Sequence, residues 1–378
     1  MADHIYLDNA ATTSLHPAAA AAMEPTWQQT FANPSAGHLA GAQAEKLVDE
    51  QRRQLATMLG VAPKEIIFTS GGSESDNLAL FGTALAARKG RIIVSTIEHP
   101  AVLEAAMELA QRGFDVQLAP VDMDGRIEVE TLLEMVNDQT ILVSIIHGNN
   151  EIGTVQPIEE LARRVKKKNA NARFHTDAVQ TFGHLPLQLA GSAIDLLSLS
   201  AHKFHGPKGS GALIARNGLR LKPLIYGGAQ EEGRRAGTLN VPGIVGLVAA
   251  AQAMSADRSK HSELLAAITE TLAARLRAAL PGMLFNGHPQ HRLPGLLSVS
   301  VPGIKSQNLM IFLEDAGVLV SAGAACKSTS VKQSHVLEAI GRRPNFATIR
   351  ISAGINNTID EAEEAATRFI AVVKRLRA

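Results

Sequence analysis

The chain has 378 residues, of which 46% are hydrophobic, and its 37 basic residues almost balance its 36 acidic residues. This length predicts one large α/β domain or two domains, and the net charge of +1 gives no general attraction to nucleic acid or an anionic membrane. The longest strongly apolar segment, 241–251, is too short to cross a bilayer, and the single cysteine, Cys326, excludes an intrachain disulfide.

The N-terminal sequence lacks the features of an export signal. Residues 1–8, MADHIYLD, contain neither a basic region nor an apolar stretch, and this argues against secretion. We therefore expect a cytoplasmic protein.

A phosphate-binding turn is predicted close to residue 70. The elements that come first are a turn-rich segment (7–13), two helices (17–27 and 39–59) and a buried strand (65–69). This strand runs through Ser70, Gly71, Gly72 and Ser73 into the next helix. Free backbone N–H groups at such a helix N-terminus favour anions, and the Ser73 hydroxyl can donate to a phosphate oxygen. A simple capped helix is the alternative.

Strands and helices alternate over the next part of the chain. The predicted strands are 91–95, 116–119, 141–146 and 172–176, and the predicted helices are 100–112, 129–137 and 158–168. This order predicts a mostly parallel sheet that is covered by helices on both faces. Polar residues follow three of the strand ends, at 98–100, 147–151 and 175–180. Right-handed crossovers place such ends along one edge of the sheet.

The segment 194–213 carries a lysine between two short apolar runs. The first run ends at Ser200, His202 and Lys203, and the glycine- and proline-rich turn 206–209 follows at once. In α/β folds, ligands bind at the carboxyl ends of strands, and the rigid turn fixes the backbone there. We interpret Lys203 as a Schiff-base lysine for pyridoxal 5′-phosphate (PLP), with a loop-capping lysine as the alternative.

The C-terminal part of the chain is predicted to form a smaller domain. The glycine-rich polar stretch 226–238 is typical of a lid or an interface loop. Beyond it, the predicted helices are 245–254, 264–280 and 359–376, and the predicted strands are 295–301, 318–321 and 347–351. We expect a large PLP-binding domain of residues 15–255 and a small domain of residues 1–14 and 256–378 that carries the loop around Cys326.

Cys326 lies among small residues, in SAGAACKSTS (321–330). Small residues on both sides predict an exposed loop, whereas buried structural cysteines usually lie among larger apolar residues. Lys327 beside Cys326 favours the thiolate form. We interpret Cys326 as a reactive cysteine, with a structural cysteine as the alternative.

Ten segments together resemble the cysteine desulfurases of the NifS/IscS type, within the class-V-aminotransferase-like PLP enzymes of fold type I. They are LDNAATT (7–13), NPS (33–35), TSGGSESDN (69–77), EH (98–99), NNEIG (149–153), HTDAVQ (175–180), SAHKFHGPKG (200–209), RAGT (235–238), GAACKS (323–328) and TIRISAG (348–354). The resemblance covers nearly the whole chain. It implies an α/β fold, with a mostly parallel, seven-stranded-type sheet between helices in the large domain and an α+β small domain.

The resemblance implies roles around the PLP ring for four side chains. Lys203 would hold PLP and move the Cα proton, and Asp177 would pair with the pyridinium nitrogen so that the ring withdraws electrons. Gln180 would contact the phenolic oxygen of the ring. His99 would stack on the ring and act as an acid or base, a role suited to a pKa near neutrality.

The resemblance also assigns the phosphate and the subunit contact. Ser73, Ser200 and His202 would bind the phosphate, and Glu74 and Asn150 belong to the same cofactor-binding set. Thr238 would contribute from the neighbouring subunit, which implies a homodimer with shared sites.

The implied substrate is L-cysteine. Asn150 and Arg350 would hold its carboxylate, with Arg350 as a bidentate fork. Cys326 would attack the substrate sulfur, so that a persulfide forms on Cys326 and alanine leaves. A sulfur-acceptor protein or scaffold, in iron–sulfur cluster assembly or other sulfur trafficking, would then take the sulfur.

Several departures from the family pattern leave alternatives open. Ala322, Ala324 and Lys327 replace Ser, Ser and Thr of the family's cysteine loop, and Ser73 replaces a Thr. The GAAC segment is also similar to that of selenocysteine lyases, which makes selenocysteine lyase or a related cysteine lyase the alternative enzyme. An extended C-terminal tail that some members use to dock an iron–sulfur scaffold is not found after the last predicted helix, so the acceptor stays open.

Two further alternatives belong to other classes of protein. The chain could be a non-catalytic partner protein with the PLP-enzyme fold, which PLP incubation would leave colourless. A metal site on His202 and His205 is disfavoured because a third ligand is not found near them in the sequence.

Overall fold

A computed structural model describes residues 4–322, 334–342 and 345–377. The strands are β1 (Ile5–Tyr6), β2 (Ile66–Thr69), β3 (Arg91–Ser95), β4 (Asp115–Ala119), β5 (Thr140–Ser144), β6 (Arg173–Asp177), β7 (Leu196–Ser200), β8 (Gly211–Ala215), β9 (Leu284–Asn286), β10 (Leu296–Pro302), β11 (Val318–Leu319) and β12 (Phe346–Ser352). The helices are α1 (Pro17–Gln28), α2 (Leu39–Leu59), α3 (Gly72–Ala87), α4 (Pro100–Gln111), α5 (Val129–Met135), α6 (Ile158–Lys168), α7 (Val241–Ala256), α8 (Arg258–Ala279), α9 (Ser306–Asp315), α10 (His335–Ala339) and α11 (Ile359–Arg377).

A seven-stranded sheet forms the centre of the fold, in the order β2-β8-β7-β6-β5-β3-β4. Strand β8 runs antiparallel to β2 and β7, and all other neighbours are parallel. The predicted fold class, a mostly parallel sheet between helices, is confirmed. The carboxyl ends of β3, β5, β6 and β7 therefore meet at one edge, where the polar segments were expected.

The strands are apolar on both faces, as parallel strands covered by helices must be. Alternate residues of β3 divide between two hydrophobic clusters, with Ile92 and Val94 in one and Ile93 in the other. Helices α3 and α4 cover the Ile92 face, and α2, α6 and α7 lie against the other face. Because Phe174 belongs to the Ile93 face, the polar residues on either side of it in β6 point toward α3.

A separate hydrophobic cluster joins the N-terminus to the C-terminal part of the chain. It contains Ile5 and Leu7 together with apolar residues of α8, α9, α11, β10 and β12. Strand β1 pairs in parallel with β11, and β9, β10 and β12 form an antiparallel sheet. We propose that this cluster is the core of the small domain of residues 1–14 and 256–378.

The helices of the described residues differ from membrane-spanning helices. Within the described ranges, none combines the length and the hydropathy that a membrane span needs.

Candidate active site

Lys203 lies at the carboxyl edge of the sheet, in a short 3₁₀ turn directly after β7. Its amine donates hydrogen bonds to the carbonyl oxygens of Ala10 and Ala11, at 2.6 and 2.8 Å. Burial and the charge of Arg350 lower the pKa of Lys203 to about 8. An amine with this pKa is uncharged in an appreciable fraction of molecules near neutral pH, which is the form that attacks a carbonyl carbon.

Asp177 and Gln180 approach the same place from the end of β6. Asp177 is buried, and its Oδ1 accepts a hydrogen bond from the Val179 N–H at 2.8 Å. Burial raises the pKa of Asp177 to about 6, against the opposing effects of this bond and of the Lys203 charge. Gln180 donates to the Ala10 carbonyl, at 2.9 Å, and so shares an acceptor with Lys203.

His99 ends the turn after β3 and begins α4. Its Nδ1 accepts a hydrogen bond from the Ala101 N–H at 3.1 Å, so the neutral ring carries its proton on Nε2. Burial, followed by the charge of Lys203, lowers the pKa of His99 to about 4. The expectation of a pKa near neutrality is therefore wrong for the protein without bound ligands, because the sequence does not reveal how deeply the ring is buried.

The turn between β2 and α3 offers unsatisfied backbone donors beside Ser200. Helix α3 starts after Gly71, and among the described residues no side chain caps this end. A Cβ at Gly72 would lie 2.7 Å from Val179 Cγ2, and a Cβ at Gly71 would lie 3.6 Å from Ser200 Oγ. Glycine at position 72 therefore permits the close packing of the helix N-terminus against Val179, in the segment after β6.

The other residues of the predicted phosphate set differ in their surroundings. Ser73 is exposed in the first turn of α3 and Ser200 is buried. His202 Nδ1 lies 3.2 Å from Thr12 Oγ1. The Glu74 carboxylate already accepts from the Ser70 N–H and from Arg235 Nε, at 2.7 and 2.9 Å, so this side chain braces the turn.

Arg350 lies on β12 and reaches the sheet edge from the opposite side. It is buried, and its Nη1 donates to the Asn150 carbonyl at 2.9 Å while its Nη2 pairs with Asp8 Oδ1 at 2.7 Å. The Arg350 Nε is buried without a hydrogen-bond partner among the described residues. Asn150 thus contacts Arg350 through its backbone oxygen.

One predicted residue, Thr238, is not brought to this group within the single chain. Thr238 is exposed on the loop between β8 and α7, which Arg235 ties to Glu74 of α3. Cys326 lies outside the described residues. Lys203, by contrast, perturbs the pKa values of His99, Asp177 and His202, so these groups share one electrostatic environment.

The sequence reasoning missed a buried polar group under this edge. His175 Nδ1 lies 2.8 Å from Ser144 Oγ, its Nε2 lies 3.0 Å from Ser198 Oγ, and its pKa is lowered to about 3 by burial. Asp76 Oδ1 is 3.7 Å from His175 Nε2, and burial and the negative charge of Asp177 raise the pKa of Asp76 well above its usual range. Both residues lie inside segments that resemble the family, and His175 is on the same face of β6 as Asp177. The sequence therefore contained a signal for this buried group.

The rings of His205 and His202 contact different residues. His205 Nδ1 lies 2.9 Å from the Ser14 carbonyl, whereas His202 is turned to Thr12. The described residues contain no group of three or more His, Cys, Asp or Glu side chains that could hold a metal ion.

Comparison with known proteins identifies the family. The sequence family "Aminotransferase class-V" matches residues 5–364, most of the chain. The chain belongs to the class-V aminotransferase family. A relative of this class-V aminotransferase in Dictyoglomus turgidum, named cysteine desulfurase IscS, is 40% identical over 100% of this chain and 96% of its own length.

Solved structures of similar proteins agree with this family. A structure named NifS-like protein superimposes with a TM-score of 0.93 and 38% identity, over 99% of this chain and 100% of the other. A second structure, titled SspA in complex with cysteine, has a TM-score of 0.81 and 37% identity, over 92% of this chain and 98% of the other.

Class-V aminotransferases are PLP-dependent, and PLP is the cofactor of this enzyme. The donor set described above fits such a molecule. A buried amine of lowered pKa suits its aldehyde, a buried carboxyl suits its ring nitrogen, and an uncapped helix N-terminus suits its phosphate.

Proposed function

We propose that this class-V aminotransferase is a PLP-dependent L-cysteine desulfurase, which converts L-cysteine to L-alanine and leaves the sulfur as a persulfide on Cys326. The observation that carries the proposal is the convergence of the Lys203 amine, the Asp177 carboxyl and the uncapped start of α3 at one sheet edge. Relatives named cysteine desulfurase over nearly the full length of the chain support the same reaction.

Different residues at this edge of the sheet would bind different parts of the cofactor. Lys203 would bind its aldehyde carbon, Asp177 its ring nitrogen and Gln180 its phenolic oxygen. Its phosphate would lie on the N–H groups that start α3, with the side chains at the end of β7 and in the first turn of α3 around it: Ser73, Ser200 and His202. When bound, PLP supplies an electron sink for bond breaking next to the substrate Cα.

The protein groups would move protons around that centre. Lys203 Nζ, whose pKa is about 8, can take up and release a proton close to neutral pH. His99 carries its exchangeable proton on Nε2, because Nδ1 is occupied by the Ala101 N–H. Burial keeps the neutral form of His99 prevalent, and in this form the ring can donate its Nε2 proton.

Arg350 would select an amino-acid substrate through the carboxylate. Its guanidinium is fixed by Asp8 and the Asn150 carbonyl and retains a buried, unpartnered Nε–H among the described residues. The TM-score match to a protein solved in complex with cysteine supports cysteine as the amino acid.

Cys326 would complete the reaction as a nucleophile. Its Sγ forms a bond to the substrate sulfur while the Cβ–S bond of the substrate breaks, and the thiol proton of Cys326 ends on the product. Cysteine and the enzyme thiol thus become alanine and an enzyme persulfide, with every atom accounted for.

Exposed apolar side chains support the assembly of two copies of the chain. Large apolar side chains are exposed at Trp27, Phe31, Leu39 and Tyr226, and a second copy of the chain would cover such surface. We propose a cytoplasmic homodimer in which Thr238 reaches the partner's phosphate site, and which passes sulfur to an acceptor in iron–sulfur cluster assembly or other sulfur trafficking.

The test measures alanine release from L-cysteine and from L-selenocysteine in the presence of a thiol reductant. We expect Lys203→Ala to abolish the visible absorption of bound PLP and lower turnover by at least about 100-fold. The control is Lys167→Ala, an exposed lysine of α6, which should behave as the unchanged protein.

Cys326→Ala separates the enzyme alternatives. We expect it to keep the PLP absorption but to lose persulfide and cysteine turnover, whereas a selenocysteine lyase would still release alanine from selenocysteine alone. A yellow Lys203→Ala protein with full turnover would refute the proposal, and a colourless unchanged protein after PLP incubation would favour a non-catalytic role.

A further inference from the structure

Glu98 is a fully buried acid directly before His99, and the proposed reaction does not use it. Its Oε1 accepts hydrogen bonds from Ser95 Oγ at 2.5 Å and from the Ile146 N–H at 2.8 Å. Ser95 ends β3 and Ile146 follows β5, so the carboxyl links two neighbouring strand ends. The Glu98 carbonyl in turn accepts from His335 Nε2 of α10, at 2.9 Å.

The link fixes the backbone from which His99 projects. Asn149, also after β5, donates from Nδ2 to the Ile97 carbonyl at 2.8 Å. Two bonds therefore hold residues 97 and 98 against the segment after β5, and His99 follows immediately as the first cap of α4. A shift of this turn by about 1 Å would misplace the ring of His99 and can greatly reduce the rate of a proton transfer.

The surroundings of Glu98 favour the protonated carboxyl. Its Oε2 is buried without a hydrogen-bond partner, and its carboxyl forms no ion pair with the described residues. The charged groups that face it are acids, Asp177 of β6 and Asp76 of α3, while His335 contacts only its carbonyl. A carboxylate in this position would leave one oxygen buried, unpaired and close to negative charge.

We propose that Glu98 is a positioning residue for His99: its carboxyl, buried without charge, ties the turn that carries His99 to the end of β5, and a negative charge on this carboxyl at alkaline pH destabilises the fold. The inference rests on the proposed function, since the role of His99 belongs to it. Burial, helped by the negative charge of Asp177, raises the pKa of Glu98 to about 8, which places the ionisation just above neutrality.

The first experiment tests ionisation without any substrate. Thermal unfolding of the PLP-free protein is followed at pH 6.5 and pH 8.5 for the unchanged protein, for Glu98→Gln and for Glu104→Gln, an exposed glutamate on α4. We expect the unfolding temperature to fall by roughly 2 to 4 °C more in the unchanged protein and in Glu104→Gln than in Glu98→Gln. Lys203 titrates in all three proteins and cancels from the comparison. Loss of the Glu98 charge also leaves the pKa of Asp76 less raised, which changes the unfolding temperature in the same direction.

The second experiment tests whether Glu98 acts through His99. Glu98→Met removes both hydrogen bonds at similar volume, and we expect cysteine turnover to fall roughly 10- to 100-fold, with Glu98→Gln restoring most of it. Glu98→Met combined with His99→Gln should be no slower than His99→Gln alone, because the tie serves only His99.

Each experiment has an outcome that overturns the inference. Identical pH dependence of unfolding in the unchanged protein and Glu98→Gln would show that Glu98 does not ionise in this range. Multiplying losses in the double variant would show that Glu98 does not act through His99. Absence of cysteine turnover in the unchanged protein would refute the proposed function. The comparison of thermal unfolding would still test the ionisation of Glu98, because it uses no substrate.

Discussion

At the scale of single residues, Arg350 is held in place before any substrate binds. Asp8 and the Asn150 carbonyl take the two terminal nitrogens, at 2.7 and 2.9 Å, and Ser321 pairs with the Arg350 backbone in both directions. A planar guanidinium with two fixed contacts has little rotational freedom left to lose when a carboxylate arrives. This pre-organisation makes the residue difficult to replace.

Lysine at position 350 therefore tests the carboxylate site. A single ammonium group cannot serve Asp8, the Asn150 carbonyl and a forked carboxylate together, so we expect Arg350→Lys to raise the KM for cysteine by roughly 10-fold or more. The absorption of bound PLP should not change, and Arg220→Lys, at an exposed arginine, serves as the control. An unaltered KM with a reduced kcat would assign Arg350 to a different step.

The sequence predicts which of these residues carry chemistry but not their ionisation. Lys203, Asp177 and His99 stand in recognisable segments directly after strands, and the structure brings them to one edge. The low pKa of His99, the bracing role of the Glu74 side chain and the buried acid Glu98 depend on contacts with distant parts of the chain. A sequence pattern contains no measure of such burial, so these properties had to come from the fold.

At the scale of elements, a buried ion pair fastens the start of the loop between β8 and α7. Arg52 of α2 pairs with Glu231 at 2.6 Å, with the Glu231 side chain fully buried, and Glu231 also accepts from the Phe68 N–H of β2 at 2.9 Å. Glu231 has a left-handed backbone, with φ of 49°. The bonds to α2 and β2 hold this uncommon conformation, and with it the start of the segment that leads to Thr238.

Removing one member of this pair should be costly. Arg52→Met leaves Glu231 buried without its cation, and we expect the free energy of unfolding to fall by about 3 kcal/mol. The double variant Arg52→Met with Glu231→Gln should recover part of this loss in urea unfolding. Arg53→Met, which breaks an exposed pair with Glu50, should change stability by less than about 1 kcal/mol; equal losses for both arginines would contradict the argument.

Most elements could be predicted because their apolar patterns are long or bounded by glycine and proline. The predicted helices 39–59 and 158–168 coincide with α2 and α6, and the strand 91–95 coincides with β3. Four short or weakly patterned elements were not predicted: β1, β9, α9 and α10. Strand β1 has two residues and exists because β11 pairs with it, a contact across more than 300 residues that no local pattern contains.

At the scale of the whole molecule, buried histidines make folding sensitive to acid. Burial lowers the pKa of His147, His175 and His205 to about 4, 3 and 4. In the unfolded chain these rings bind protons below about pH 6.5, while in the folded protein they stay neutral. The unfolded state therefore binds more protons between pH 4 and 6.5, and stability must fall as the pH drops through this range.

Buried acids change the pH dependence of stability in the opposite direction to the buried histidines. Glu98 and Asp177, with pKa values raised to about 8 and 6, keep their protons in the folded protein where the unfolded chain has lost them. Their contribution to stability therefore declines as the pH rises above about 4.5. Between pH 5 and 6.5 the three histidines outnumber these two acids. Between pH 6.5 and 8 the effect of Glu98 is the larger one, although Lys203, whose pKa is lowered to about 8, begins to act in the opposite direction.

The balance predicts an unfolding temperature that is highest near pH 6.5 for the PLP-free protein. Thermal unfolding at pH 5, 6.5 and 8 should show lower values on both sides, with the larger loss at pH 5, where the histidines dominate. His147→Gln replaces a buried neutral ring by a neutral amide that cannot bind a proton, so it should reduce the loss between pH 6.5 and 5, whereas His38→Gln, at an exposed histidine, should not. If the protein were most stable at pH 5, the buried acids would outweigh the histidines, and the neutral state assigned here to His147, His175 and His205 would have to be abandoned.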